Sequence, residues 1–172
     1  MARELYAGRH LKLLAEGPWE FAERTRASGG VVILAFTSRD ELLLVEQFRP
    51  PVGRRVISLP AGLTGDGDVR EDAAVSASRE LEEETGYRAK SVQELAVCPS
   101  SPGLTSEMMT FFHARGVEKI EGAVLDPDEE ITPHAVPRAD LPAWLRAREL
   151  EGLLIDYKIY AALYLADREV GS

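Results

Sequence analysis

The chain has 172 residues, with 20 basic and 29 acidic side chains and a formal net charge of −9, a length that suits one domain, or a domain with a small appendage, rather than two full domains. At 45% hydrophobic and 28% charged residues it has the apolar content for a packed core, which argues against a disordered or low-complexity chain. The acidic balance argues against a protein that grips nucleic acid through a concentrated basic face, but it leaves a polyphosphate ligand open, because divalent cations reconcile acidic protein with acidic ligand.

Read in chain order, Leu11–Leu14 and Trp19–Ala22 form short strands with partial alternation. The two-glycine turn of Ala27-Ser28-Gly29-Gly30 closes this first region, giving an N-terminal β element over residues 1–28 and a main domain over 29–172. Val31 to Phe36 is a continuous apolar run suited to a strand buried on both faces, followed by a turn and a second strand over Glu41–Phe48. Arg55–Leu59 reads as strand, ended by Pro60-Ala61-Gly62, with a Gly- and Asp-rich loop over 64–68. Glu71 to Thr85 reads as a helix with Gly86 as its terminating residue. Strands follow at Val92–Val97 and Met108–Ala114, a short helix at Leu141–Arg148 with Pro142 near its start, and a long helix over Leu153–Arg168. Strands and helices mix without strict alternation, which predicts a mixed sheet flanked by helices, an α/β fold of the α+β type.

The lone Cys98 allows no intramolecular disulfide. Met1–Leu5 lacks the apolar core of a signal peptide, and the longest apolar run, Ile159–Ala166, is far short of the ~20 residues that span a bilayer. A cytoplasmic protein with no membrane contact is expected.

The most informative segment is Arg79-Glu80-Leu81-Glu82-Glu83-Glu84-Thr85-Gly86. Its acids crowd the end of a helix that carries partial negative charge, where each costs a few tenths to ~1 kcal/mol. Glu80 and Glu84, four apart, repel one another as well. A solvated acidic face is one reading. The other is a metal site: Glu80, Glu83 and Glu84 lie on adjoining faces with Glu82 roughly opposite, and Arg79 stands one turn before Glu83, placed to pair with it. Carboxylates at such spacing suit a hard divalent ion that also binds substrate phosphates.

Gly65, Glu71, Arg79-Glu80-Leu81, Glu83-Glu84, Gly86 and Tyr87 together match every fixed position of the Nudix box. Gln47-Phe48-Arg49-Pro50-Pro51-Val52-Gly53, Leu59-Pro60-Ala61-Gly62 and Ser101-Pro102-Gly103 are similar to segments of the ADP-ribose pyrophosphatase branch, and Pro102 lies fifteen residues beyond Tyr87 (102 − 87 = 15), where that branch carries a proline. The chain thus resembles that branch of the Nudix hydrolase superfamily over roughly residues 15–140.

The resemblance implies a Nudix α/β/α sandwich with a mixed sheet and a small N-terminal β element that helps form a homodimer. It implies hydrolysis of ADP-ribose to AMP and ribose 5-phosphate with Mg²⁺ or Mn²⁺. GDP-mannose or another nucleoside diphosphate sugar is the alternative substrate, and a non-catalytic nucleotide-sensing domain the alternative role. Glu80 and Glu84 match the family's principal metal ligands, with Glu83, Glu71 and the Ala61 carbonyl beside them, and Arg79 matches the arginine that orients the glutamates. The catalytic base in this branch comes from an acidic loop outside the box, whose counterpart here is Glu129 or Glu130. Trp19, Glu20 and Arg24 resemble a segment that holds adenine, often from the partner subunit; Arg49, whose planar fork suits a diphosphate, and Pro102-Gly103 complete the implied substrate contacts.

Two positions depart from the pattern. Gly65 lies three residues beyond Gly62, lengthening the loop into the helix, and Ser58 occupies a place where this branch commonly has glutamate. His10, His113 and His134 share no metal-ligand spacing, and Cys98 reads as a small apolar group.

Overall fold

Residues Val31 to Ala35 are fully shielded from solvent, and the elements of the protein are arranged around them. The structure, a computed structural model, describes residues 1–27, 29–65, 71–123 and 130–169. In chain order the elements are β1 (Arg3–Ala7), β2 (Leu11–Glu16), β3 (Trp19–Arg24), β4 (Gly29–Thr37), β5 (Glu41–Arg49), β6 (Arg54–Ser58), β7 (Ala61–Thr64), α1 (Ala73–Thr85), β8 (Tyr87–Arg88), β9 (Ser91–Pro99), β10 (Met108–Lys119), β11 (Ile131–Pro137), α2 (Leu141–Leu150), β12 (Leu154–Ile155) and α3 (Lys158–Glu169).

The apolar run of β4 explains the layering. Successive strand side chains point to opposite faces, so Val32 and Leu34 join one core with Leu42, Ile57, Leu141, Leu145 and Ile159. Val31, Ile33 and Ala35 join a second core with Ala77, Leu81 and Phe112. Helix α1 therefore covers one face of the sheet and α2 with α3 the other. Each buried Val, Leu or Ile contributes about 1.5–3 kcal/mol, and a one-residue slip of β4 would exchange the two sets.

The main sheet is mixed. Strand β4 pairs in parallel with β10, and β12 pairs in parallel with β6, while β5 runs antiparallel between β6 and β11. Along its first residues β4 pairs with β7, but with β5 only at Phe36↔Leu42 beside the connecting turn. The sheet thus splits beyond that turn. The first three strands form a separate antiparallel sheet in the order β1-β2-β3, tied to the main body where Ala22 N–H donates to Leu104 O (2.8 Å) and Ser106 N–H to Ala22 O (3.1 Å).

Three elements differ from the sequence reading, each for a physical reason. Helix α1 starts at Ala73 rather than Glu71, because the Asp72 side chain accepts the Ala74 N–H and acts as its cap. Ala61–Thr64, read as the end of a strand and the start of a loop, re-enter the sheet as β7, paired with β4; residues 66–68 of the expected loop lie outside the described residues. The expected helix from Leu153 is shorter: Leu154 and Ile155 pair with Val56 and Ile57, and α3 begins only after Asp156 accepts the Lys158 N–H. Helical spacing in that segment is overridden by an available strand edge. Among the described residues no helix is long and apolar enough to cross a membrane.

A cross-strand trio on β5, β6 and β11 makes stability depend on pH. The largely buried Glu46 carboxylate meets Arg55 Nε and His134 Nε2 (3.1 Å). Burial alone would raise its pKa, but Arg55 and then His134 outweigh burial and hold it below the ordinary 4.5. A depressed carboxylate stabilises the fold above its ordinary pKa and loses that contribution as pH falls through the folded value. Glu46→Gln is expected to cost about 1–2 kcal/mol at pH 7, with the gap to wild type closing below pH 4.5. Urea unfolding from pH 7 to pH 3.5 measures both.

Candidate active site

Helix α1 delivers its acids to one end of a cleft. Gly86, left-handed at φ 73°, ends the helix and donates its N–H to Glu82 O, a conformation that costs glycine nothing. Helical phase then turns Glu82 outward, where Arg88 holds it through two hydrogen bonds (2.7 and 2.9 Å), and turns Glu80 and Glu84 inward. Glu84 is buried at 6% exposure, and its Oε2 accepts the Ala61 N–H from β7 at 3.0 Å. Glu80 lies against Gly62 so closely that a Cβ added there would sit 2.0 Å from Glu80 Cδ. The Pro60-Ala61-Gly62 turn, whose Ala61 carbonyl the resemblance sets beside the metal ligands, therefore forms the floor under two carboxylates.

Arg79 organises the rest of the helix end. Its guanidinium pairs with Glu83 (2.7 Å), Glu80 (2.9 Å) and Glu71 (3.3 Å). Burial lowers the Arg79 pKa, but these three carboxylates outweigh burial and hold it above the usual arginine value. Glu71, just before the helix, has its pKa lowered by the Ser76 hydroxyl (2.7 Å) and then by Arg79. One fixed cation thus neutralises part of a cluster that the helix dipole would otherwise disfavour.

The cleft holds about 950 Å³, within the ~300–1,000 Å³ common for small-molecule sites. Glu71, Arg79, Glu80, Glu84 and Ala61 line one side, with Arg24 from β3, Arg49 from β5 and Lys158 from α3 also facing it. Four cationic side chains of the cleft face five acids, Glu71, Glu80, Glu84, Glu107 and Asp156, so a divalent cation among the carboxylates is what tips the cleft toward a polyanion. Arg24 pairs with Glu107 just before β10, while Arg49 makes no side-chain ion pair among the described residues, leaving its fork available.

The donors suit a hard divalent cation. Glu80 and Glu84 present oxygen at the cleft, and Gly62 gives the Glu80 carboxylate its room. Among the described residues no three His, Cys, Asp or Glu side chains converge to enclose an ion unaided. Mg²⁺ suits such a set, because it binds through one or two carboxylates and completes its shell with water and substrate phosphate.

The sequence profile of the NUDIX domain matches residues 26–161. The chain belongs to the Nudix family. It is 31% identical over 163 residues to ADP-ribose pyrophosphatase of Bacillus subtilis (strain 168), an alignment covering 91% of this chain and 86% of that protein. It is 36% identical over 133 residues to the methanol dehydrogenase activator of Bacillus methanolicus, covering 73% of this chain and 70% of that one. A crystal structure of an ADP compounds hydrolase superposes with a TM-score of 0.72 over 99% of this chain and 92% of that one; at 18% identity this likeness concerns the fold.

The remaining described residues of the Nudix reading lie apart from the cleft's lining. Glu83 pairs with Arg79 and its side chain is 44% exposed. Trp19 is 60% exposed at the start of β3, and Glu20 beside it is also exposed. Pro102 and Gly103 sit on an exposed turn whose flanking Ser100 and Glu107 do reach the cleft. Glu130 is exposed just before β11, and Glu129 lies outside the described residues. Conversely, Gln47, Glu107, Asp156 and Lys158 line the cleft without having been singled out from sequence. Of these Gln47 carries a signal, as part of the 47–53 segment, whereas the helical spacing over Leu153–Arg168 hides Asp156 inside an expected helix.

Proposed function

We propose that this Nudix chain hydrolyses the diphosphate of ADP-ribose, with Mg²⁺ or Mn²⁺, to give AMP and ribose 5-phosphate. The observation that carries this reading is the meeting, in one cleft, of Glu84, which is buried, and Glu80 with Arg24 and Arg49. The identity to the Bacillus subtilis protein over nearly the whole chain supports it.

In this reading Glu80 and Glu84, with Glu71, Glu83 and the Ala61 carbonyl beside them, hold the divalent ion. When bound, the ion neutralises charge on the diphosphate and makes a coordinated water more acidic. Arg79 fixes the carboxylates, and Arg49 and Arg24 hold the anionic substrate. A glutamate of the segment before β11, Glu129 or Glu130, takes a proton from the attacking water. The water oxygen joins one phosphorus as the bridging P–O bond breaks, and the bridging oxygen leaves on the other phosphate. Pro102 and Gly103 belong to the substrate rim. Trp19 and Glu20, exposed on the small sheet together with Tyr6 and Leu11, reach nucleotide across a homodimer in which residues 1–28 supply the contact. The enzyme works in the cytoplasm.

Hydrolysis rates with Mg²⁺ across ADP-ribose, ADP-glucose, GDP-mannose and diadenosine polyphosphates test the reading. ADP-ribose is expected to have the highest kcat/KM, yielding AMP. A higher value for GDP-mannose would replace the substrate, and no turnover of any of them would replace the activity.

A further inference from the structure

The wall formed by β6, β12 and the start of α3 carries a side-chain pair that the hydrolytic chemistry above does not use. Asp156 N–H donates to Ile57 O (2.9 Å), which extends the β6–β12 pairing by one residue and sets Asp156 in register beside Ser58. Asp156 Oδ1 accepts the Lys158 backbone N–H (2.9 Å), and Oδ2 accepts the Lys158 ammonium (2.6 Å). Both side chains are about four-fifths buried, at 18% and 20% exposure. The Lys158 ammonium also lies 5.1 Å from the centre of the Tyr157 ring, and the Tyr157 hydroxyl donates to Ser100 O (2.8 Å), pinning the neighbouring loop. Asp156, Lys158, Ser58 and Ser100 all line the cleft that holds Glu80 and Glu84.

A helix cap needs one carboxylate oxygen, and Oδ1 supplies it. The second oxygen and the ammonium are then free of that duty. An ammonium has three donors, of which Asp156 takes one; a carboxylate has about four acceptor directions, of which two are taken. The pair therefore offers roughly two donors and two acceptors to the cleft while its charges cancel. Such a surface is poorly matched to a phosphate, which Arg24 and Arg49 suit better, and well matched to vicinal hydroxyls, each of which donates and accepts at once.

We propose that Asp156 and Lys158, with the Ser58 hydroxyl, form a hydroxyl-reading subsite that binds the sugar on the far side of the diphosphate from the nucleoside and sets specificity for sugar-bearing substrates. This deepens the function proposed above and rests on it. The pair touches substrate hydroxyls and takes no part in proton transfer.

The test compares kcat/KM for ADP-ribose and for methyl-ADP, which carries the same adenosine diphosphate with no second sugar, in wild type, Lys158→Met and Asp156→Asn. Methionine keeps an apolar side chain of similar length, and asparagine keeps an acceptor for the helix cap, so the second variant decides if the first fails to fold. Wild type is expected to prefer ADP-ribose, and each variant to cut that preference by about tenfold or more, mainly through KM, as expected when a site loses hydrogen bonds to a substrate hydroxyl. Equal losses on both substrates, or no loss on either, would overturn the proposal. If wild type ignores ADP-ribose but cleaves another sugar nucleotide, the substrate assignment falls by itself, and the ratio between that sugar nucleotide and its sugarless diphosphate still decides the subsite.

Discussion

Glu84→Gln is expected to lower kcat on ADP-ribose by about 10³-fold, the scale of losing one preorganised electrostatic contact, while leaving the protein as stable as wild type or slightly more so. The two effects have separate causes. Glu84 is buried in the last turn of α1, where the helix carries partial negative charge, and its Oε2 already accepts the Ala61 N–H. Glutamine keeps an oxygen for that N–H. It removes a charge that costs a few tenths to ~1 kcal/mol at a helix C-terminus, and the repulsion with Glu80 one turn away. A carboxylate retained against its own helix is what a binding role requires. Steady-state kinetics with Mg²⁺ and thermal unfolding without it read the two effects independently. A variant both active and destabilised would mean that Glu84 serves packing.

Gly62→Ala is expected to cost about 10²-fold in kcat, the penalty for misplacing a reacting group by an ångström or so, with a small change in unfolding temperature. The added methyl would lie 2.0 Å from Glu80 Cδ and 2.1 Å from its Oε1. These atoms end a flexible side chain, so the carboxylate swings aside and the backbone stays. The consequence falls on the Glu80 carboxylate's position and not on the core. Kinetics and circular dichroism of the purified variant test this: unchanged kcat would show that Glu80 does not need its present place.

Much of this arrangement is legible in sequence, for identifiable reasons. The run Val31–Phe36 suits a strand covered on both faces, and β4, fully buried over Val31–Ala35, is that strand. Gly86 and the spacing of Glu80, Glu82 and Glu84 set the end and phase of α1, so the inward and outward acids follow from 3.6-residue periodicity. Features that depend on partners distant in the chain are not legible in the same way. Pro60-Ala61-Gly62 reads as an interruption, because nothing local tells that β4 offers an edge at Gly29–Val32 for β7. Leu154 and Ile155 fit a helical pattern, yet the edge of β6 claims them and thereby carries Asp156 into the cleft. The Arg24–Glu107 pair spans residues joined only by the docking of β3 on the 101–107 turn. Trp19 and Arg24 share one strand, but only Arg24 reaches the cleft; Trp19 is exposed at the other end.

The proposed hydrolysis rests on a divalent ion shared between the α1 carboxylates and a diphosphate. Isothermal titration of Mg²⁺ into the protein with the non-hydrolysable α,β-methylene analogue of ADP-ribose measures that sharing without turnover. A clear heat of binding in wild type that disappears in Glu84→Gln is the predicted result. No heat in wild type, or the same heat in both proteins, would contradict it.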